Sequence, residues 1–178
     1  MTAPSLHVVL VEPEIPNNTG NIGRTCIAAG AALHLVHPLG FHTDDKALKR
    51  AGMDYWPRVE CTEHESWSAY ERVHCAPTGG QPAHYFFTTK ADRCLWEVSF
   101  ARGDRLVFGK ESVGLDESIR AAHPDHLITV PMAPGERSLN LSSCVAIVVY
   151  EALRQMHMRG DIPLEGDARL VGVPGTHE

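Results

Sequence analysis

The sequence predicts one α/β domain built on a parallel sheet, and three observations carry that expectation. Short, almost wholly apolar runs recur along the chain, stretches with helical spacing separate them, and 178 residues is the length of one ordinary domain. Residues 6–11 (LHVVLV) end at Glu12-Pro13 and suit a strand buried on both faces of a sheet. Residues 19–29 read as a helix, with Asn18 or Thr19 as its N-cap and Gly30 as its stop. A second strand follows at 32–36, closed by His37-Pro38. Thr43-Asp44-Asp45 opens a helix through Arg50, its acids placed where the helix dipole favours negative charge.

Thr62 and Glu65 fit a capping box, and Trp67, Tyr70 and Val73 recur at helical spacing, so a helix is expected over about 63–74. A turn at 75–83 follows, then strands at 85–88, 106–108 and 127–130, with a short helix at 116–122. Residues 139–156 are the ambiguous element. CVAIVVY alone has strand composition, but the run through EALRQM is too long and too helix-favouring for a strand. As a helix its first half is nearly encircled by Leu141, Val145, Ile147, Val148 and Val149, more apolar surface than one small domain covers. A homodimer interface is therefore expected there. The domain spans 1–160, and 161–178, rich in Pro, Gly and charge, is expected to be a loosely held tail.

Composition excludes several classes. No run reaches the roughly 18 apolar residues of a membrane span, and the first residues lack a signal-peptide pattern, so a cytoplasmic protein is expected. Cys26, Cys61, Cys75, Cys94 and Cys144 are odd in number, scattered and without a C-x-x-C pair. They read as reduced thiols, mostly buried, rather than a disulfide framework or a zinc site. Lys and Arg total 16 against 22 Asp and Glu, a net charge of −6, which argues against bulk electrostatic capture of nucleic acid. A local patch, or one assembled from two subunits, answers that objection.

Three loops invite a ligand. NNTGNIGR, 17–24, lies between the first strand and first helix, where glycine allows close backbone approach and free N–H groups can accept an anion. It lacks the full dinucleotide glycine spacing, and the second strand ends in His37 rather than an acid. Taken alone it is equally a tight turn with Asn18 as a cap. FGKESVGLD, 108–116, follows an apolar strand, and loops past the carboxyl ends of parallel strands are where open α/β sheets bind ligands. On its own it is a connecting loop with Glu111 a solvated charge. VPMAPGERSLNLSS, 130–143, sets Arg137, Ser138 and Asn140 beside a helix start, where Ser138 or Asn140 could equally be only a cap.

In order, these loops resemble the three motifs of the SpoU branch of the SPOUT methyltransferases: Asn18 to Arg24 as N-x-G-N-x-x-R, then LVFGKESVGL, then VPMAPGERSLNLSS. The likeness runs from Val8 to about Gln155. EPEIPNNTGNIGRT and DDKALKRAGMDYW further resemble the small tRNA (cytidine/uridine 2′-O)-methyltransferases that act on the anticodon wobble nucleotide. The resemblance implies a deep trefoil knot near the C-terminal end, against the general rule that chains avoid knots. It also implies a homodimer, S-adenosylmethionine as cofactor, no metal, and the tRNA anticodon stem-loop as partner. Phe87, Gly109, Val130 and Ser138, with Thr88 and Leu139 close by, align with positions that contact the cofactor. Arg24 aligns with the catalytic arginine, and Asn18, Glu111, Ser138 and Asn140 with the polar residues around it. Lys46, Lys49, Arg50 and Arg58, with Arg24, are expected to meet RNA, although such a charge run is otherwise an ordinary solvated face.

Free guanidinium has a pKa above about 12, so Arg24 is expected to bind phosphate and stabilise a developing alkoxide rather than act as a base. Three other readings stay open at this point. They are a SPOUT-fold RNA-binding or assembly factor without methyl transfer, a dinucleotide oxidoreductase, and a zinc enzyme using His123-x-x-His126 or His74-Cys75.

Overall fold

The computed structural model describes residues 3–42, 54–75 and 82–174. Six parallel strands form one sheet: β1 (His7–Val11), β2 (Ala32–Val36), β3 (Cys61–His64), β4 (His84–Phe87), β5 (Arg105–Phe108) and β6 (Leu127–Ile128). Their spatial order is β3-β2-β1-β5-β4-β6. Side chains alternate across a strand, so β1 feeds both faces. Val8 and Leu10 pack with helices α1 (Pro16–Ala29) and α4 (Leu141–Met158), while Val9 and Val11 pack with α2 (Trp67–His74) and α3 (Glu117–Ala122). Each such fully buried aliphatic contributes about 1.5–3 kcal/mol, which makes the central strands the rigid base from which the loops project.

Several helix boundaries differ from the pattern reading for physical reasons. Helix α1 begins at Pro16 rather than Thr19, because proline at the first helical position already has the right φ and no N–H to satisfy. Asn18 therefore lies inside the helix and is not its cap. Gly30 ends α1 in the left-handed conformation, as expected (φ 61°). Thr62 and Glu65 form no capping box: residues 61–64 pair with β2 as strand β3, and α2 starts later, capped by Ser66. The ambiguous element is helical, displaced to 141–158, with Asn140 as its cap.

Residues 161–174, expected to be loose, return to the body. Ile162 is wholly buried, Arg102 Nη1 donates to Gly172 O at 2.8 Å, and Val173 covers Gly30. All five cysteines are free, but only Cys26 is buried and the other four are half-buried, fewer than expected. The predicted helix at 43–50, and with it Lys46, Lys49 and Arg50, lies outside the described residues, as do positions 76–81 of the predicted turn. No helix among the described residues is long and apolar enough to cross a membrane.

Candidate active site

The loops that leave β1, β4, β5 and β6 at their carboxyl ends enclose a cavity of about 440 Å³, within the size range of small-molecule sites. Phe87 and Thr88 enter from β4, Gly109 and Glu111 from β5, and Val130, Ser138, Leu139 and Asn140 from the stretch after β6. All six expected cofactor positions line this cavity, together with Asn18 from α1. Gly109 is required sterically, since a methyl group there would lie 2.1 Å from the backbone of Gly114 and Leu115. The 109–115 loop therefore folds back tightly against its own start.

Hydrogen bonds tie the three loops into one unit. Glu111 accepts from Glu14 N (2.8 Å), Ile15 N (3.3 Å) and Asn18 Nδ2 (2.9 Å). The anion anticipated at the start of α1 is thus the chain's own carboxylate, which complements the positive end of the helix dipole. Asn140 Nδ2 donates in turn to Asn18 Oδ1 at 3.1 Å, while Asn140 Oδ1 accepts from Ser142 N at 2.9 Å. Two further links clamp the first loop to the second: Lys110 Nζ to Glu12 at 2.7 Å, and Ser112 Oγ to Glu14 at 2.9 Å. The first of these holds the Lys110 ammonium's pKa above its ordinary value, and Glu12 itself sits at φ 52°.

Arg24 stands apart. It lies six positions beyond Asn18 on α1, about 9 Å of rise and roughly 120° of rotation, and is not among the residues that line the cavity. Arg24 is exposed and lies over the Tyr55 ring, 4.4 Å from its centre. Gly23 does not cradle a ligand either. Trp56 and Val59 press on it, and a methyl group there would meet Trp56 Cζ3 at 3.0 Å. Of the expected catalytic set, then, Asn18, Glu111, Ser138 and Asn140 converge and Arg24 does not join them. Arg58 lies exposed in the same short segment, one 3₁₀ turn beyond Tyr55.

Sequence reasoning did not single out Lys90, Arg120 or Met132, which line the cavity, whereas Arg137, noted in the third loop, does line it. Lys90 and Met132 follow strand ends closely, and that position alone could have flagged them. It also missed Tyr55, whose distance from Arg24 along the chain leaves no local signal.

A second cluster of polar groups occupies the α2 face of the sheet. His7 and His34 pair through Nδ1 and Nε2 at 2.9 Å, His34 and His64 at 3.0 Å, and Arg105 Nη2 donates to His74 Nδ1 at 3.3 Å. Burial, then the Arg105 charge, pushes His7 down to about 4; burial, then the neighbouring histidines, pushes His34 down to about 3. Ligating nitrogens of His34, His64 and His74 lie within 4.8 Å of one another. A dication there would face the buried Arg105 guanidinium, whose Nε and Nη1 have no partner among the described residues, so electrostatics oppose it. Neither pair considered at the sequence level is gathered into this triad as such: His123 stacks on Phe86 with ring centres 4.3 Å apart, and Cys75 Sγ instead contacts His84 at 3.4 Å.

A parallel sheet with a ligand-sized cavity over its carboxyl edge, walled by three cross-linked loops, defines a cofactor-handling α/β domain. The chain belongs to the SpoU rRNA Methylase family, which it matches over residues 5–150. It is 46% identical over 156 residues to a tRNA (cytidine(34)-2′-O)-methyltransferase of Methylovorus glucosotrophus, covering 87% of this chain and 98% of that one. A solved structure described for the 2-OH methylation of C/U34 on tRNA superposes with a TM-score of 0.78 at 44% identity, covering 86% and 97% of the two chains. The SpoU methyltransferase AviRb of Streptomyces viridochromogenes, in complex with AdoMet, has a TM-score of 0.75 at 24% identity, covering 87% of this chain and 59% of that one. The last likeness establishes the shared fold.

Proposed function

We propose that this chain transfers a methyl group from S-adenosylmethionine to the ribose 2′-hydroxyl of the wobble nucleotide, cytidine or uridine, of tRNA. The observation that carries the reading is the convergence of Phe87, Thr88, Gly109, Val130, Ser138 and Leu139 on one cavity, beside the Glu111–Asn18–Asn140 chain. The cavity fits the cofactor by its wall, where Phe87, Phe108, Val130 and Leu139 offer apolar surface and Thr88, Thr129 and Ser138 offer hydrogen bonds. When bound, S-adenosylmethionine supplies a methyl carbon activated by its sulfonium centre. The protein's own task is alignment and charge stabilisation, with no metal required.

The position of Arg24 outside the cavity of its own chain supports a homodimer in which the arginine of one subunit completes the site of the other. Ile147, Tyr150 and Met158 are exposed at 43%, 53% and 73% and fall on one face of α4, an apolar stripe that suits such a contact. In this reading the third loop and α4 complete a trefoil knot with the second loop. Residues 1–160 form the methyltransferase domain and 161–178 its tail, acting in the cytoplasm on the anticodon stem-loop. Arg24 binds the neighbouring phosphate and steadies the developing alkoxide while the proton leaves to phosphate or water. Lys46, Lys49, Arg50 and Arg58 supply the rest of the RNA contact.

The test is incubation of the purified protein with labelled S-adenosylmethionine and total tRNA, followed by mapping of the ribose-methylated nucleotide. Label at the wobble ribose is expected; cofactor binding with no RNA labelled would instead favour a SPOUT-fold RNA-binding or assembly factor. Arg24→Lys is expected to slow methylation by about a hundredfold, because an ammonium cannot reproduce the planar fork. Full activity at unchanged RNA affinity would refute the need for that fork.

A further inference from the structure

Arg24 is held in an unusual manner for an exposed arginine. Among the described residues it rests on the ring of Tyr55, with no carboxylate or carbonyl on its nitrogens. A guanidinium held over an aromatic ring spends no N–H donor on a carboxylate, whereas an ion pair would consume two of its five.

The ring itself is firmly placed. Tyr55 is 8% exposed and packs in the main core, and its hydroxyl donates to Gly20 O at 2.8 Å. Gly20 lies one helical turn before Arg24, so Tyr55 bridges two successive turns of α1. The adjoining Trp56 is pressed against Gly23, which leaves the segment no room to slide. The aromatic face is therefore fixed to the helix that carries the arginine.

We propose that Tyr55 is a positioning residue for methyl transfer, its ring orienting the Arg24 guanidinium by its face while leaving the donor edge free for the phosphate and ribose of the RNA. This rests on the reading that Arg24 acts in the reaction. Tyr55 itself touches no reacting atom. Its contribution comes from limiting the arginine's orientations before RNA arrives, so it appears in turnover rather than in cofactor affinity.

The experiment replaces Tyr55 in the 178-residue chain by leucine, by phenylalanine and by mono-, di- and trifluorophenylalanine. Fluorine drains the negative face of the ring while keeping its shape. Single-turnover methylation of tRNA at saturating RNA is measured alongside cofactor affinity and the thermal midpoint. The expected result is that Tyr55→Phe retains most of the rate and Tyr55→Leu loses it, while successive fluorines lower it to about a tenth of the Phe variant at steady cofactor affinity and midpoint. A flat series, or a rate that falls only together with the midpoint, overturns the proposal. Arg24→Ala separates this from the parent reading. If that variant is inactive and the series flat, the positioning role alone fails; if it is fully active, the role of Arg24 fails and the proposal with it.

Discussion

One polar cluster of this molecule sits at the carboxyl edge of the rigid sheet and another on its α2 face, and the two differ in almost everything except density. At the carboxyl edge, Glu111, Asn18, Asn140 and Ser138 surround an open cavity, and each remains partly reachable or keeps donors and acceptors to spare. On the α2 face, His7, His34, His64 and His74 bond to one another or to Arg105 beneath Tyr70, with His34 only 6% exposed. The histidine layer carries large pKa displacements, yet none of its four histidines lines the cavity that opens at the loops. Perturbed ionisation marks burial first; a ligand site needs access and unspent hydrogen-bonding capacity as well.

The largest way to break the carboxyl edge is at Gly109. A methyl group 2.1 Å from backbone atoms of Gly114 and Leu115 cannot be accommodated by a side-chain rotation, so Gly109→Ala must displace the 109–115 loop. The expected outcome is loss of cofactor binding by calorimetry and a stability loss of more than about 4 kcal/mol by denaturant titration. Unchanged binding would mean that this loop does not shape the cavity.

The histidine layer should respond to pH, and the sign follows from the lowered values. The unfolded histidines ionise near 6.5, whereas His7 and His34 stay neutral in the folded protein down to about 4 and about 3. Below pH 6.5 the unfolded chain therefore binds more protons, and stability falls as pH drops through that window while remaining level above it. His34 alone gives a slope of up to roughly 1.4 kcal/mol per pH unit. Arg105→Met removes the buried cation that adds to the displacement. The acid midpoint, followed by circular dichroism, is expected to move down by about half a unit or more. An unmoved midpoint would assign the acid response to groups elsewhere.

What could be read before any coordinates follows the range of the forces involved. β1, β2 and β5 were legible because apolar runs that fill both faces of a parallel sheet carry their own signal, and the ligand loops were legible because they follow those runs. The start of α1 was not, since Asn18 is the stronger local cap signal, while the helix opens on Pro16 and the N–H groups just before it bond to Glu111, more than 90 residues away. Thr62 and Glu65 carried a valid capping pattern that lost to pairing with β2, a tertiary effect. The same limit applies to Arg24. The motif named the residue, but only helix geometry reveals that it points away from Asn18 toward Tyr55.

The subtlest test of the contrast between the two clusters is Glu111→Gln. The amide keeps the shape of the side chain and removes its charge, leaving one oxygen where two had accepted from Glu14 N, Ile15 N and Asn18 Nδ2. An NH₂ group then faces at least one of those donors, and the favourable charge at the start of α1 is gone. Because Glu111 is half-exposed, water relieves part of the cost, and the expected loss is about 1–2 kcal/mol in unfolding free energy. The informative readout is methylation against stability. If Glu111 acts only by fastening loop to helix, cofactor affinity weakens several-fold and the rate at saturating cofactor holds. A rate that collapses at unchanged stability would instead place the carboxylate among the groups that meet the reacting ribose.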